Sequence, residues 1–168
     1  MAERTLGVLL AGGAATRLRG EAKGLLALAP DRRVCDAALD ALGATCDAVL
    51  VAANDPQAAT WELGHPQRRD ATPGLGALGA LRTALAAADA QGAACVLVMP
   101  WDAPFVTRAL GAALLARLRD DPRCDVAVPV HDGRMQPLVS AWRPRALAAC
   151  DAALAAGERA AHRFVASR

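Results

Sequence analysis

The chain has 168 residues, 54% of them hydrophobic, and a formal net charge of +2. This length suits one domain over residues 1–168, large enough to bury a core without disulfides or a structural metal. The apolar content excludes disorder, and the balanced charge carries no footprint for nucleic-acid binding.

Strand and helix signals then alternate. Leu6 to Ala11 is a short apolar run that ends in Gly12-Gly13, a buried strand entering a loop. Val34 to Leu42 has helical spacing, and Ala48 to Ala52 is a second apolar strand closed by Asn54-Asp55-Pro56. A long helix fits Ala77 to Ala90, with Gly92 as its stop. Cys95 to Met99 is the clearest buried strand, closed by Pro100, and Thr107 is an N-cap for a helix to about Arg119. Asp125 to Val130 and Met135 to Trp142 flank Asp132-Gly133, which predicts an antiparallel hairpin. A last helical stretch starts near Pro144 and breaks at Gly157. The pattern predicts a Rossmann-like three-layer α/β/α sandwich, its sheet mostly parallel but mixed by the late antiparallel hairpin.

Neither a membrane span of about 20 apolar residues nor a signal peptide's h-region is present, so a cytoplasmic location is expected. Cys35, Cys46, Cys95, Cys124 and Cys150 are odd in number and lack close pairs. They read as buried reduced thiols. His65, His131 and His162 lack zinc-type spacing. Of 19 basic residues only Lys23 is lysine.

In open parallel sheets, ligands bind beyond the C-terminal strand ends. Three places meet that rule: the loop after Ala11, the turn at Asn54, and Trp101-Asp102. The first reads Leu10-Ala11-Gly12-Gly13-Ala14-Ala15-Thr16-Arg17-Leu18-Arg19-Gly20-Glu21-Ala22-Lys23. Paired glycines let backbone amides approach an anion closely, and Arg17 and Lys23 add positive charge. It is not a Walker A loop, because Gly24 rather than Ser or Thr follows the lysine.

The spacing L-A-G-G-x3-R-L-x-G-x2-K resembles the signature of the MobA-like molybdenum cofactor guanylyltransferase family. The likeness continues at Asn54, at Asp70 with Pro73-Gly74-Leu75-Gly76-Ala77-Leu78, and at Pro100-Trp101-Asp102-Ala103-Pro104-Phe105, and more weakly at Gln136-Pro137-Leu138 and Gly157-Glu158-Arg159. Ala22 stands where the family has aspartate, Arg19 where it has glycine, and Ala77 where it has proline. The family's further strand with an Asn-x-Asn-Thr-Pro-like segment has no counterpart before Arg168.

The resemblance implies a nucleotide-diphospho-sugar transferase-like fold and transfer of GMP from GTP to molybdopterin, with Mg²⁺ as cofactor and pyrophosphate released. It implies catalytic roles for Lys23, Arg17 and Asp102, with Asp102 as metal ligand. Leu10, Ala11, Gly12, Gly13, Lys23, Asn54, Asp70 and Asp102 would bind the nucleotide. Transient contact with other molybdenum-cofactor biosynthesis or acceptor proteins would follow. Alternatives of the same fold are a molybdopterin cytidylyltransferase, a sugar-nucleotide pyrophosphorylase or an inactive nucleotide-binding relative. Gly74-x-Gly76-x-x-Gly79 also fits a dinucleotide fingerprint in form, but polar Gln67-Arg68-Arg69-Asp70 precedes it instead of an apolar strand.

Overall fold

The structure, a computed structural model, describes residues 3–12, 17–18 and 21–168, with only the backbone of Arg17, Leu18 and Glu21. From the N-terminus come β1 (Thr5–Leu10), the ribbons β2 (Arg17–Leu18) with β3 (Glu21–Ala22) and β4 (Ala27–Ala29) with β5 (Arg32–Arg33), then α1 (Asp36–Gly43) and β6 (Ala48–Ala52). Next are β7 (Gln67–Arg68), α2 (Gly76–Ala90), β8 (Cys95–Pro100) and α3 (Arg108–Asp120). The chain closes through β9 (Val126–Ala127), the ribbon β10 (Val130–His131) with β11 (Arg134–Met135), β12 (Ser140–Trp142), α4 (Leu147–Ala155) and α5 (Ala161–Ala166).

The main sheet has the order β7-β6-β1-β8-β12-β9. Strands β7, β6, β1 and β8 run parallel, whereas β12 is antiparallel to both β8 and β9. Both faces of β1 are covered, so its residues are apolar in succession rather than in alternation. Leu6, Val8 and Leu10 join Val96 and Val98 of β8 under α2, α4 and α5. Leu9, with Cys95, Leu97 and Met99 of β8, packs under α1 and α3. The expected three layers are therefore present. Among the described residues, no helix is long and apolar enough to cross a membrane.

Local signals acted as expected at several boundaries. The Thr107 hydroxyl accepts the Leu110 amide at 3.2 Å, an N-cap that starts α3 and spares one of its unpaired donors. Alanine costs least conformational entropy in a helix, which suits the Ala- and Leu-rich α2. It ends at Ala90, with Gly92 at φ 62°.

The late hairpin differs from expectation, because it is two ladders rather than one. Val130 pairs with Met135 and His131 with Arg134, but Val126 pairs with Trp142 and Ala127 with Ala141. Continuing the outer register would pair Ala127 with Leu138, so three extra residues lie on the returning arm. Pro129 and Pro137 lack the N–H that a continuous ladder needs. A turn takes up the excess: Val139 N–H donates to the Gln136 carbonyl at 2.9 Å. Ser140 Oγ donates to the Pro137 carbonyl and accepts from Trp142 Nε1, at 2.8 and 2.7 Å. The buried polar atoms at that turn thus pair with each other.

All five cysteines are free thiols; Cys35, Cys95 and Cys150 are buried, and Cys46 and Cys124 half-buried. Burial pushes the Cys35 and Cys46 thiols up to about 11 and that of Cys150 up to about 12. A thiol so shifted is a poor nucleophile at neutral pH.

Candidate nucleotide site at the sheet edge

Strands β1, β6 and β8 end at one edge of the sheet, and the three loops singled out by sequence leave from there. The Ala11 N–H donates to the Ala52 carbonyl at 2.8 Å, and the Trp101 N–H to the Leu10 carbonyl at 3.1 Å. Leu10 and Ala11 have buried side chains, so these two residues form the floor of the site. Gly12 is exposed, and a Cβ placed on it would meet no atom within 4 Å among the described residues. Packing against the described residues does not demand glycine at this point. Gly13 and the side chain of Arg17 lie outside the described residues.

Lys23 opens a 3₁₀ turn over Lys23–Leu25, and the Leu26 N–H donates to its carbonyl at 3.3 Å. The next residue, Gly24, is buried against Trp101. A Cβ there would sit 2.4 Å from Trp101 Cδ2 and Cε3, an overlap that only glycine avoids. Trp101 in turn lies beside Trp61, with ring centroids 4.8 Å apart and planes inclined by 30°. Both indoles are buried. The Gly24–Trp101 contact brings the loop carrying Lys23 to the loop carrying Asp102, although the two lie far apart in sequence. Asp102 itself is exposed, and no hydrogen bond or ion pair joins its carboxylate to another described residue.

Asn54 and Asp70 are held together on the β6 side. The Asn54 amide donates to Asp70 Oδ2, and the Asp70 N–H donates back to Asn54 Oδ1 at 2.8 Å. The other carboxylate oxygen accepts from the Thr83 hydroxyl of α2 at 2.6 Å. A pocket of about 210 Å³ adjoins Asp70, lined in part by Thr72, Leu75, Arg82 and Asp151. Arg82 is paired with Asp151 at 2.8 Å, which occupies the pocket's cation. Thr83 and Trp61 were not legible as site residues, because each looks like ordinary core in its own helical segment.

The Gly74–Gly79 stretch behaves as a helix start. The Leu78 N–H of α2 donates to the Arg159 carbonyl at 3.2 Å, so the Gly157-Glu158-Arg159 landmark helps to close the helix N-terminus. The strand before it, β7, is two exposed residues at the edge of the sheet, unlike the buried first strand of a dinucleotide fold.

Residues 7–168 match the MobA-like NTP transferase domain. The chain belongs to this family. The MobA-like chain is 36% identical over 160 residues to the molybdenum cofactor guanylyltransferase of Shewanella frigidimarina, covering 95% of itself and 79% of that protein. In fold it resembles a molybdopterin-guanine dinucleotide biosynthesis protein A from Archaeoglobus fulgidus. That match has a TM-score of 0.73 at 19% identity and covers 97% of this chain and 79% of the other. A Mycobacterium tuberculosis protein solved as a complex with manganese matches at a TM-score of 0.65 and 20% identity, over 93% of this chain and 82% of its own. The family is enzymatic.

Proposed function

We propose that the protein transfers GMP from GTP to molybdopterin, with Mg²⁺ bound at Asp102 and pyrophosphate released. The observation that carries this reading is the meeting of the Lys23 turn and the Asp102 loop at Gly24 and Trp101, beyond the ends of β1 and β8. Named relatives at this level of identity support the guanylyl donor and the pterin acceptor.

In the reaction, an oxygen of the acceptor attacks the α-phosphorus of GTP. A new P–O bond forms there, and the bond from the α-phosphorus to the oxygen bridging to the β-phosphorus breaks. The bridging oxygen leaves with its electron pair as part of pyrophosphate. Lys23, with Arg17, supplies positive charge to the phosphates during this exchange. Amides of the Gly12-Gly13 segment approach the phosphates where no Cβ intervenes. The floor at Leu10 and Ala11 and the Asn54–Asp70 pair border the nucleoside. Both ends of the Asn54 amide and both oxygens of Asp70 already have one partner, so they present a preorganised edge to the base.

The donor set at Asp102 fits Mg²⁺, which commonly uses only one or two protein carboxylates and keeps several waters. Among the described residues no group of three or more His, Cys, Asp or Glu could form a metal cage, and an exposed, unpaired carboxylate at the strand end suits a hydrated ion. Asp102 would hold the ion, which when bound would neutralise phosphate charge. A cytoplasmic setting and small-molecule substrates go with this function.

The test is incubation with molybdopterin, Mg²⁺ and each nucleoside triphosphate in turn, following pyrophosphate release. GTP should be turned over well above CTP. Equal rates with both would remove the guanine assignment and leave the reaction class, while no release with any of the four would overturn the transfer itself.

A further inference from the structure

Lys23 and Asp102 have no direct bond to one another: among the described residues neither side chain forms a hydrogen bond or ion pair. Their relative placement must come from what lies between them. What lies there is the pair next to each in sequence, Gly24 and Trp101. We propose that Trp101 is a positioning residue for nucleotidyl transfer, its indole fixing the cationic turn of Lys23 against the loop of Asp102. This rests on the transfer reading above and deepens it.

The geometry is closed on several sides. The indole is only 2% exposed, and the Gly24 backbone lies against it so closely that even a methyl group would overlap. Trp61 backs it from the neighbouring segment at 4.8 Å. Trp61 is itself fixed, because its carbonyl accepts from Arg33 Nη1 at 2.9 Å while the same guanidinium holds Asp36 at the start of α1. The Gly24 carbonyl accepts the Cys35 N–H at 2.9 Å, and the Leu26 carbonyl accepts the Val34 N–H at 3.0 Å, so the chain after Lys23 doubles back onto α1. Through the Trp101 N–H to Leu10 bond, the same residue is tied to the end of β1. One residue thus sits at the junction of the floor, the lysine turn and the carboxylate loop, its backbone tied to the first and its indole set between the other two. A cation and a metal-ligand carboxylate that serve one triphosphate lose effect when their spacing varies, because catalysis by fixed charges depends on preorganisation.

The single lysine makes the test direct. With the N-terminal amine blocked, an amine-directed reagent reports Lys23 alone, with no nucleotide present. Trp101→Ala should raise the labelling rate several-fold, by about fivefold as the turn opens locally. Trp101→Phe, which retains an aromatic face toward Gly24 and Trp61, should restore most of the protection. In turnover, Trp101→Ala should lower kcat and raise the Mg²⁺ concentration for half-maximal rate by about tenfold, while Trp101→Phe recovers both. Trp142→Phe, which weakens the opposite face of the sheet, serves as the control for general loss of stability. An unchanged labelling rate in Trp101→Ala would overturn the proposal, as would equal changes in Trp142→Phe. If Trp101→Ala does not fold, Gly24→Ala attacks the same contact from the other side and is read by the same two measurements. Faster labelling in a protein whose wild type releases no pyrophosphate would keep the positioning contact and sink the transfer reading.

Discussion

On one wall of the site the Lys23 turn meets the Asp102 loop through backbone and hydrocarbon, Gly24 on Trp101 and Trp101 beside Trp61. On the other wall Asn54 and Asp70 meet through reciprocal hydrogen bonds and a third from Thr83. Among the described residues the charged ends of the first wall have no protein partner, so their electrostatic capacity stays available to a ligand. The second has engaged its polar atoms internally, which fixes their direction and leaves only the remaining lone pairs and protons for recognition. The two walls should therefore fail differently. Packing degrades in proportion to the atoms removed, whereas a small polar network reacts to the loss of a single donor.

The strongest way to break this contrast is Asp102→Ala. We expect turnover to fall by about 100-fold or more, the scale of several kcal/mol from a lost metal ligand. Because the side chain is exposed, urea unfolding should shift by less than about 0.5 kcal/mol. A wild-type rate at limiting Mg²⁺ would refute the metal role. Next in size is Lys23→Arg, expected to damage turnover nearly as much as Lys23→Ala, since a planar fork does not replace a compact ammonium in a narrow turn. Mg²⁺–GTP should protect Lys23 from amine labelling, and labelling that is indifferent to saturating nucleotide would make it a bystander.

On the polar wall, Asn54→Ala should cost about 1 kcal/mol in urea unfolding and raise the KM for GTP more than it lowers kcat. A pure kcat loss would show that the pair acts in the transition state instead. Gly12→Ala sharpens the comparison within the signature loop. The space around Gly12 predicts unchanged stability and weaker nucleotide binding, where Gly24→Ala should disturb the loop even without ligand. The smallest effect concerns Glu158, whose hydrogen bonds from Arg163, and then from the Ala160 and Arg159 amides, hold its carboxyl down at about 2. A carboxyl lowered from its ordinary 4.5 contributes fully above that pH, and the contribution fades as pH falls toward about 2. Melting curves of the wild type and Glu158→Gln should accordingly differ slightly at pH 6 and converge near pH 2.

The sequence disclosed elements whose signal is local or periodic. Strands β1, β6 and β8 are uninterrupted apolar runs because both sheet faces are covered, and Thr107 announces α3 by its own hydroxyl. It put Lys23, Asn54 and Asp102 in the segments that follow β1, β6 and β8, because the apolar runs before them mark the strand ends. It did not disclose the ribbon after Lys23. Its strands are two or three residues long, and Ala27 to Ala29 is wholly exposed, so no hydrophobic alternation records them. Nor did it disclose the Trp61–Trp101 pair or the Thr83–Asp70 bond, which join segments far apart in the chain. The split hairpin was legible only in retrospect. Asp132-Gly133 marks its tip, but the three-residue excess is visible only once both ladders are counted.

The outermost strands of the main sheet, β7 and β9, are each two residues long. A sheet edge is normally a row of unpaired amides and carbonyls that a second molecule can extend. Here the long, apolar strands that form such templates are all interior, flanked on both sides by partners. The main sheet of a chain 54% hydrophobic thus offers other copies of itself only two-residue edge strands, and its richest β-forming segments become available for cross-pairing chiefly when the sheet itself opens. Aggregation on heating should accordingly track global unfolding rather than precede it.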